Sequence, residues 1–548
     1  LSVRIYDLTG TLKAELLSLT GGAPADTWQP HQFDLSAYRG ETVQVVVDSV
    51  SEGTAFFVDE VNLVTAGAAG GDEFRALWAD AYRPGIKSRK QIDELVETAQ
   101  AGNFNALVVQ VRRRGDTYYP SEIDPWAPDA ATSFDALAYL IERAHAAGIE
   151  VHAWATTLAI WGGDLPPTDP SHTFNVHGTG AEGRDYWLMT SNTGEEQASG
   201  LYWLDPGHPD AVEYTVAIYA ELASKYDLDG IHLDRVRYAW QEWGYNPTAL
   251  ARYQTQTGSS EAPEPDDAQW LQWRRDQVTA LVRKIYLTVT EINPQLRVSA
   301  ALSAAGWPPT DVYPWEERTP YTHQLQDWRS WLEEGIVDLG LTMTYKDDDT
   351  YAVAFDNWIA WQKEHQYGRG VAVGTGLYMN SVPESMSQWQ RVRQPSPLGE
   401  YALGISGYSY GTPIDPDLGG TRRSFINAAV TEVFTRTAST PYLGWKDAPA
   451  LGHLAGRLSQ PFPCPGMNVD GYPLALSGPV DRQLLTDGSG WFGAVDLPPG
   501  SYQLAVDLPE PNGTVQVPVE IVAGAVTERS ILLPGCATHW TYLPLIRR

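Results

Sequence analysis

Between Glu73 and Ala438 the apolar period switches repeatedly between two and 3.6, and that alternation restricts the chain to a parallel α/β fold. Strand-like runs stand at Phe74–Ala79, Asn105–Val111, Glu150–Ala155 and Gly230–Asp234. Four more follow at Arg297–Leu302, Val337–Tyr345, Val371–Leu377 and Gly404–Ser409, each with a helical pattern behind it. Ser88 and Gln91 read as a capping box for the first helix, whose apolar face is Ile92, Leu95, Val96 and Ala99. The next helix stops at Gly148, a suitable residue for a left-handed end. Such a series of units predicts a (β/α)8 TIM barrel with long loops over 73–438. A doubly wound sheet would call for a Gly-rich phosphate turn after the first strand, and none follows.

The flanks read differently. Over residues 1–66 short strand-like runs (Val3–Leu8, Leu12–Leu17, Trp28–Leu35, Thr42–Val50, Ala55–Val64) are separated by Gly, Pro and Ser. The pattern from Trp28 through Asp34 and Tyr38 to Asp59-Glu60 resembles half of a jelly-roll carbohydrate-binding module, a partial β-sandwich. Gly67–Gly71 is a linker. Residues 446–539 return to strands. The segments Leu484–Phe492 and Leu497–Tyr502 resemble a small prealbumin-like β-sandwich. Both cysteines, Cys464 and Cys536, lie there and are expected to form one disulfide in an exported protein.

Charge narrows the partners. With 38 Lys and Arg against 68 Asp and Glu, the formal charge of −30 excludes nucleic acid as a partner, because phosphate neutralisation needs clustered cations. An acidic, solvated surface suits a secreted or cell-surface protein. No run of about 20 apolar residues occurs, so no helical membrane span is expected. The chain starts at Leu1 without methionine or a signal pattern, and further sequence is expected before it. The 21 Trp and 28 Tyr are many, and tryptophan faces suit both core packing and stacking on sugar rings.

The stretch 226–238 carries the most chemistry. Alternation puts Ile231 and Leu233 on one face and His232 and Asp234 on the other. The strand then ends in Asp234 beside Arg235 and Arg237, a charged tip that is costly to bury unless it opens on a cleft. Parallel barrels hold their chemistry at that end.

Four blocks carry a family resemblance. They are Val109–Arg112 with Gly115-Asp116 and Tyr119–Ser121; His152-Ala153-Trp154; Leu204–Gly207 with Pro209; and Asp229–Asp234. In order and spacing the chain resembles the family often called glycosyl hydrolase-like 10, a group of exported glycosidase-like barrels, over about residues 73–240 and more weakly to 438. The resemblance implies cleavage of glycosidic bonds in a polysaccharide or oligosaccharide. One departure is Arg235, where the family commonly places a second acid, and it suggests an acidic or differently oriented sugar.

Glycoside hydrolysis needs two carboxyl groups. Asp234 is the expected nucleophile or base, with Arg235 and Arg237 holding it ionised. Asp347, after the sixth strand, is the expected acid, with Asp348 next and Glu316 and Glu317 as outsiders. The fifth strand carries no acid. Trp78, Arg112, Asp116, His152, Trp154, Arg235, Tyr345, Tyr378 and Asp348 are expected to hold the sugar, with Asp80 and Tyr408 also at strand tips. No cofactor or metal is implied: Asp347–Asp349 lacks the Gly and distal Glu of an EF-hand loop. A chitinase-type mechanism would need Glu where Val236 stands. An esterase built on Gly407–Gly411 would need a later His, and only His453 and His539, outside the barrel, qualify. The competing reading is a non-catalytic carbohydrate-binding protein on an inactive barrel.

Overall fold

The computed structural model describes residues 2–7, 12–18, 43–48, 72–460, 468–508 and 513–533, in two compact units, Leu1–Thr65 and Ala66–Arg548. In the first unit β1 (Ser2–Asp7) pairs antiparallel with both β2 (Leu12–Ser18) and β3 (Val43–Asp48). The other two strand-like runs expected there, and both cysteines, lie outside the described residues.

The second unit opens with the barrel. Its first strands are β4 (Phe74–Ala79), β5 (Ala106–Arg112) and β6 (Glu150–Thr156). A short excursion, β7 (Ala159–Trp161) with β8 (Tyr202–Trp203), interrupts them. Then come β9 (Gly230–Asp234), β10 (Arg297–Ser303), β11 (Leu339–Met343), β12 (Gly370–Gly376) and β13 (Gly404–Tyr408). Leaving out β7 and β8, these eight pair in parallel in chain order, and β13 closes on β4. The expected (β/α)8 barrel is therefore the observed fold.

Sequence explains the walls. Ile231 and Leu233 are fully buried among the helices, while His232 and Asp234 turn to the barrel interior. Ser88 caps the first helix through Gln91 N–H, but the reciprocal half of the box is absent. The Gln91 amide oxygen instead accepts from Gly85 and Lys87 N–H, both at 3.1 Å. Most large tryptophans pack: Trp270, Trp315, Trp328, Trp331, Trp358 and Trp389 are buried.

Two further sheets, one mixed and one antiparallel, follow the barrel in the same unit. β14 (Gly452–Ser459) is flanked by later strands, while β15 (Pro473–Ser477) lies between β16 (Arg482–Leu485) and a later neighbour. Those later strands are β17 (Trp491–Leu497), β18 (Gly500–Asp507), β19 (Thr514–Ile521), β20 (Val526–Glu528) and β21 (Ile531–Leu532). Leu454, Phe492, Leu476, Leu504 and Ile521 of the two sheets share one core, as in a sandwich. Ion pairs tie it to two barrel helices and to the turn before β12: Arg252 with Asp470, Lys284 with Asp487 and Arg369 with Asp496.

Candidate active site

Parallel register sets the levels of the barrel interior. His152 stands opposite Gly230, Trp154 opposite His232, and Thr156 opposite Asp234. Asp234 is therefore the top inward residue of β9, and its side chain is half-buried. Trp154, one inward position lower, sends its indole Nε1–H to Asp234 Oδ2 at 3.0 Å.

Aromatic rings enclose that carboxylate. Tyr345 and Tyr408 stack with centroids 5.5 Å apart, and Tyr378 meets both edge-on. Trp78 touches Trp154 edge-on at 5.1 Å and Tyr408 at 6.0 Å. Burial, then the neighbouring phenols and Asp234, raises the Tyr345 hydroxyl well above its ordinary range. Burial, then Asp80 and Asp234, does the same to Tyr408. A floor of indole and phenol rings around one carboxylate can stack a sugar ring and present a nucleophile or base to it.

The expected site residues divide into two groups. Trp78, Trp154, Tyr345 and Tyr378 come together with Asp234. Arg112 does not join them. It is buried, with Nε on Asp124 at 2.6 Å, one terminal nitrogen on the Thr156 carbonyl and the other on Tyr214 at 3.0 Å, so its donors are spent on the wall. Asp116 is also buried and pairs with Arg113 at 3.1 Å. His152 lies two inward positions below Asp234, without solvent exposure, facing Glu150 at 3.2 Å. A Cβ on Gly230 would come within 2.1 Å of His152 Nδ1, so glycine is what makes room for that ring.

The acids expected after the sixth strand have local partners. Asp347 caps the helix Asp348–Glu364 by accepting from Thr350 N–H at 2.8 Å with Oδ1. Asp348 pairs with Arg391 through both of its oxygens. Arg235 and Arg237, expected to hold Asp234 ionised, form no ion pair with it; both guanidiniums lie over the Trp203 ring. Ser409, centre of the Gly-x-Ser-x-Gly pattern, is buried and hydrogen-bonded to Asp80. Asp80 also accepts from Tyr82 N–H at 3.0 Å.

Sequence reasoning gave no role to Trp203, which carries both arginines, nor to the exposed Trp240 and Trp307 on the loops after β9 and β10. The signal for the last two was simple: a tryptophan just past a barrel strand end.

The sequence profile described as Glycosyl hydrolase-like 10 matches residues 73–392. Glycosyl hydrolase YngK of Bacillus subtilis (strain 168) is 25% identical over 411 residues, spanning 70% of this chain and 76% of that protein. Glycosyl hydrolase DigH of Escherichia coli (strain K12) is 26% identical over 375 residues, 64% of this chain and 72% of that protein. Among solved structures, the β-amylase catalytic domain of Paenibacillus polymyxa superposes with a TM-score of 0.49 at 12% identity, covering 68% of this chain and 100% of that one. The glycoside hydrolase domain of PgaB (BpsB) from Bordetella bronchiseptica gives 0.47 at 18% identity, covering 65% and 99%.

Proposed function

The chain belongs to the glycosyl hydrolase-like 10 family, and from that premise we propose that it is an exported glycoside hydrolase acting on a polysaccharide. The observation that supports the reading best is Asp234: a half-buried carboxylate at the end of a barrel strand, oriented by Trp154 and ringed by Tyr345, Tyr378 and Tyr408. In this reading Asp234 attacks the anomeric carbon or activates a water against it. Asp347 protonates the leaving oxygen. Asp347 keeps Oδ2 free of its helix cap and is half-buried, whereas Asp80, which with Asp234 acts on Tyr408, is only 3% exposed. A proton donor must reach the glycosidic oxygen, and exposure favours Asp347. The aromatic floor stacks the sugar and positions the scissile bond.

Turnover on a panel of polysaccharides tests this. Asp234→Asn should still bind the cleaved glycan and lose cleavage by about a thousandfold or more. Cleavage at the wild-type rate in that variant would remove Asp234 from the chemistry, and no turnover by wild type on any of the panel would remove the hydrolase reading.

One observation supports a second reading, carbohydrate binding without catalysis. β10 presents only Ser303 at its end, and Asp347 and Asp348 both have structural partners. Absence of turnover across the panel, with retained glycan binding, would favour it.

A further inference from the structure

Two guanidiniums stand at the barrel mouth with no carboxylate in ion-pair contact. Arg235 and Arg237 follow Asp234 directly and lie over the Trp203 ring, 5.6 and 5.3 Å from its centroid. Among the described residues neither forms an ion pair, and the hydrogen bond of the Arg237 side chain goes to the Tyr238 carbonyl at 3.1 Å. Burial and then the Arg235 charge push Arg237 down to about 10, with Asp234 offsetting only part. Arginine does not give up its proton in proteins, so this expresses the cost of holding two cations together under partial burial.

Backbone geometry adds to that cost. Arg235 has φ +53°, in the left-handed region that residues other than glycine enter only at a penalty. A third cation at the mouth, Lys346, gives its Nζ to the Ala304 carbonyl at 3.0 Å and is pushed down by burial alone. In a chain of formal charge −30, the Arg235–Arg237 pair is not a device for solubility. Uncompensated guanidiniums beside a candidate reactive carboxylate suit an anionic ligand, since their planar forks bond carboxylate and sulfate oxygens two at a time.

We propose that Arg235 and Arg237 form an anion-binding subsite beside Asp234, selecting a glycan whose sugar there carries a carboxylate or a sulfate ester. The proposal rests on the glycoside hydrolase reading and names its substrate class. In this subsite Trp203 holds both forks against its ring, and the sugar ring lies toward the tyrosines.

The test is calorimetric binding of three matched, thio-linked disaccharides that cannot be cleaved: one neutral, one bearing a uronate and one 6-O-sulfated. The wild-type chain should bind at least one charged ligand about tenfold or more tightly than the neutral one, and the better of the two identifies the anion. Arg237→Gln and Arg235→Asn should each erode that preference, and the double variant should abolish it while still binding the neutral sugar. Asn is chosen at 235 because it tolerates left-handed backbone. Arg237→Lys should retain part of the preference, and thermal unfolding checks that every variant is folded. Equal or tighter binding of the neutral ligand by wild type, no binding of any ligand, or an equal loss for charged and neutral ligands in the variants would each overturn the subsite. None of these readouts needs turnover. A failure of the hydrolase reading, seen as no turnover by the wild-type chain on any polysaccharide, is therefore distinguishable from a failure of the subsite.

Discussion

Trp154 reaches Asp234 from one inward position below, its Nε1 donating to Oδ2 at 3.0 Å across the β6–β9 register. The bond fixes which way the carboxylate faces, and its charged acceptor makes it stronger than a neutral hydrogen bond. Trp154→Phe keeps most of the ring packing against Trp78 and Tyr408 and removes only the donor. It should lower kcat by about tenfold with little change in KM, because orientation matters most at the transition state. Steady-state kinetics on the best polysaccharide substrate check this. An unchanged kcat would mean that Asp234 needs no such anchor.

Arg112 should matter for stability. It is buried against Asp124, Tyr214 and the Thr156 carbonyl. Breaking one partner of a buried pair leaves the other charge without compensation and costs about 3–5 kcal/mol. Arg112→Met should lose that much in urea unfolding, and adding Asp124→Leu should recover a good part of it. Weakened glycan binding at unchanged stability would instead place Arg112 in the sugar site.

These two residues illustrate what was legible in the sequence. Trp154 and Arg112 stand near the ends of barrel strands, in two of the four blocks that carry the resemblance, and strand position alone gave each a place at the mouth. What separated them was a set of contacts from elsewhere in the chain: Asp124, the Thr156 carbonyl and Tyr214 hold the Arg112 guanidinium, and no local pattern announces them. The barrel itself was readable because period switching depends only on neighbours a few residues apart. β4 and β9 fall where alternation predicts them, and the other strand ends shift by one or two residues. His152 was misplaced for a related reason. Alternation says that it faces inward but not how far below the mouth, and only the register with Gly230 sets that level.

Asp347 has two possible duties, and two substitutions separate them. Its carboxylate caps the helix Asp348–Glu364, a role asparagine fills as well and alanine does not. Asp347→Ala should lose about 1 kcal/mol of stability, while Asp347→Asn should lose none. As the proton donor, Asp347→Asn should still fail on natural linkages and recover on aryl glycosides whose leaving group needs no proton. Full activity on polysaccharide in Asp347→Asn would confine the residue to capping.

Stability should also depend on pH through Asp205. Its side chain is fully buried, with Oδ1 accepting from Gly207 N–H at 2.8 Å and from the Tyr238 hydroxyl at 3.4 Å. Burial pushes this carboxyl from the ordinary 3.8 up to about 7, against the opposing Gly207 N–H. The folded chain thus holds a proton that the unfolded chain releases between those values. Stability from Asp205 is fully present below 3.8 and is lost as pH rises through about 7. Asn resembles the protonated acid and cannot ionise. Asp205→Asn should therefore match wild type near pH 4 and exceed it at pH 8, by up to about 4 kcal/mol. Buried His208 and His453, each pulled down to about 4 by burial, tilt stability the other way over part of this range. They are common to both proteins, so the difference between urea unfolding curves isolates Asp205. A difference that does not change with pH would show that this carboxyl titrates in the same way folded and unfolded.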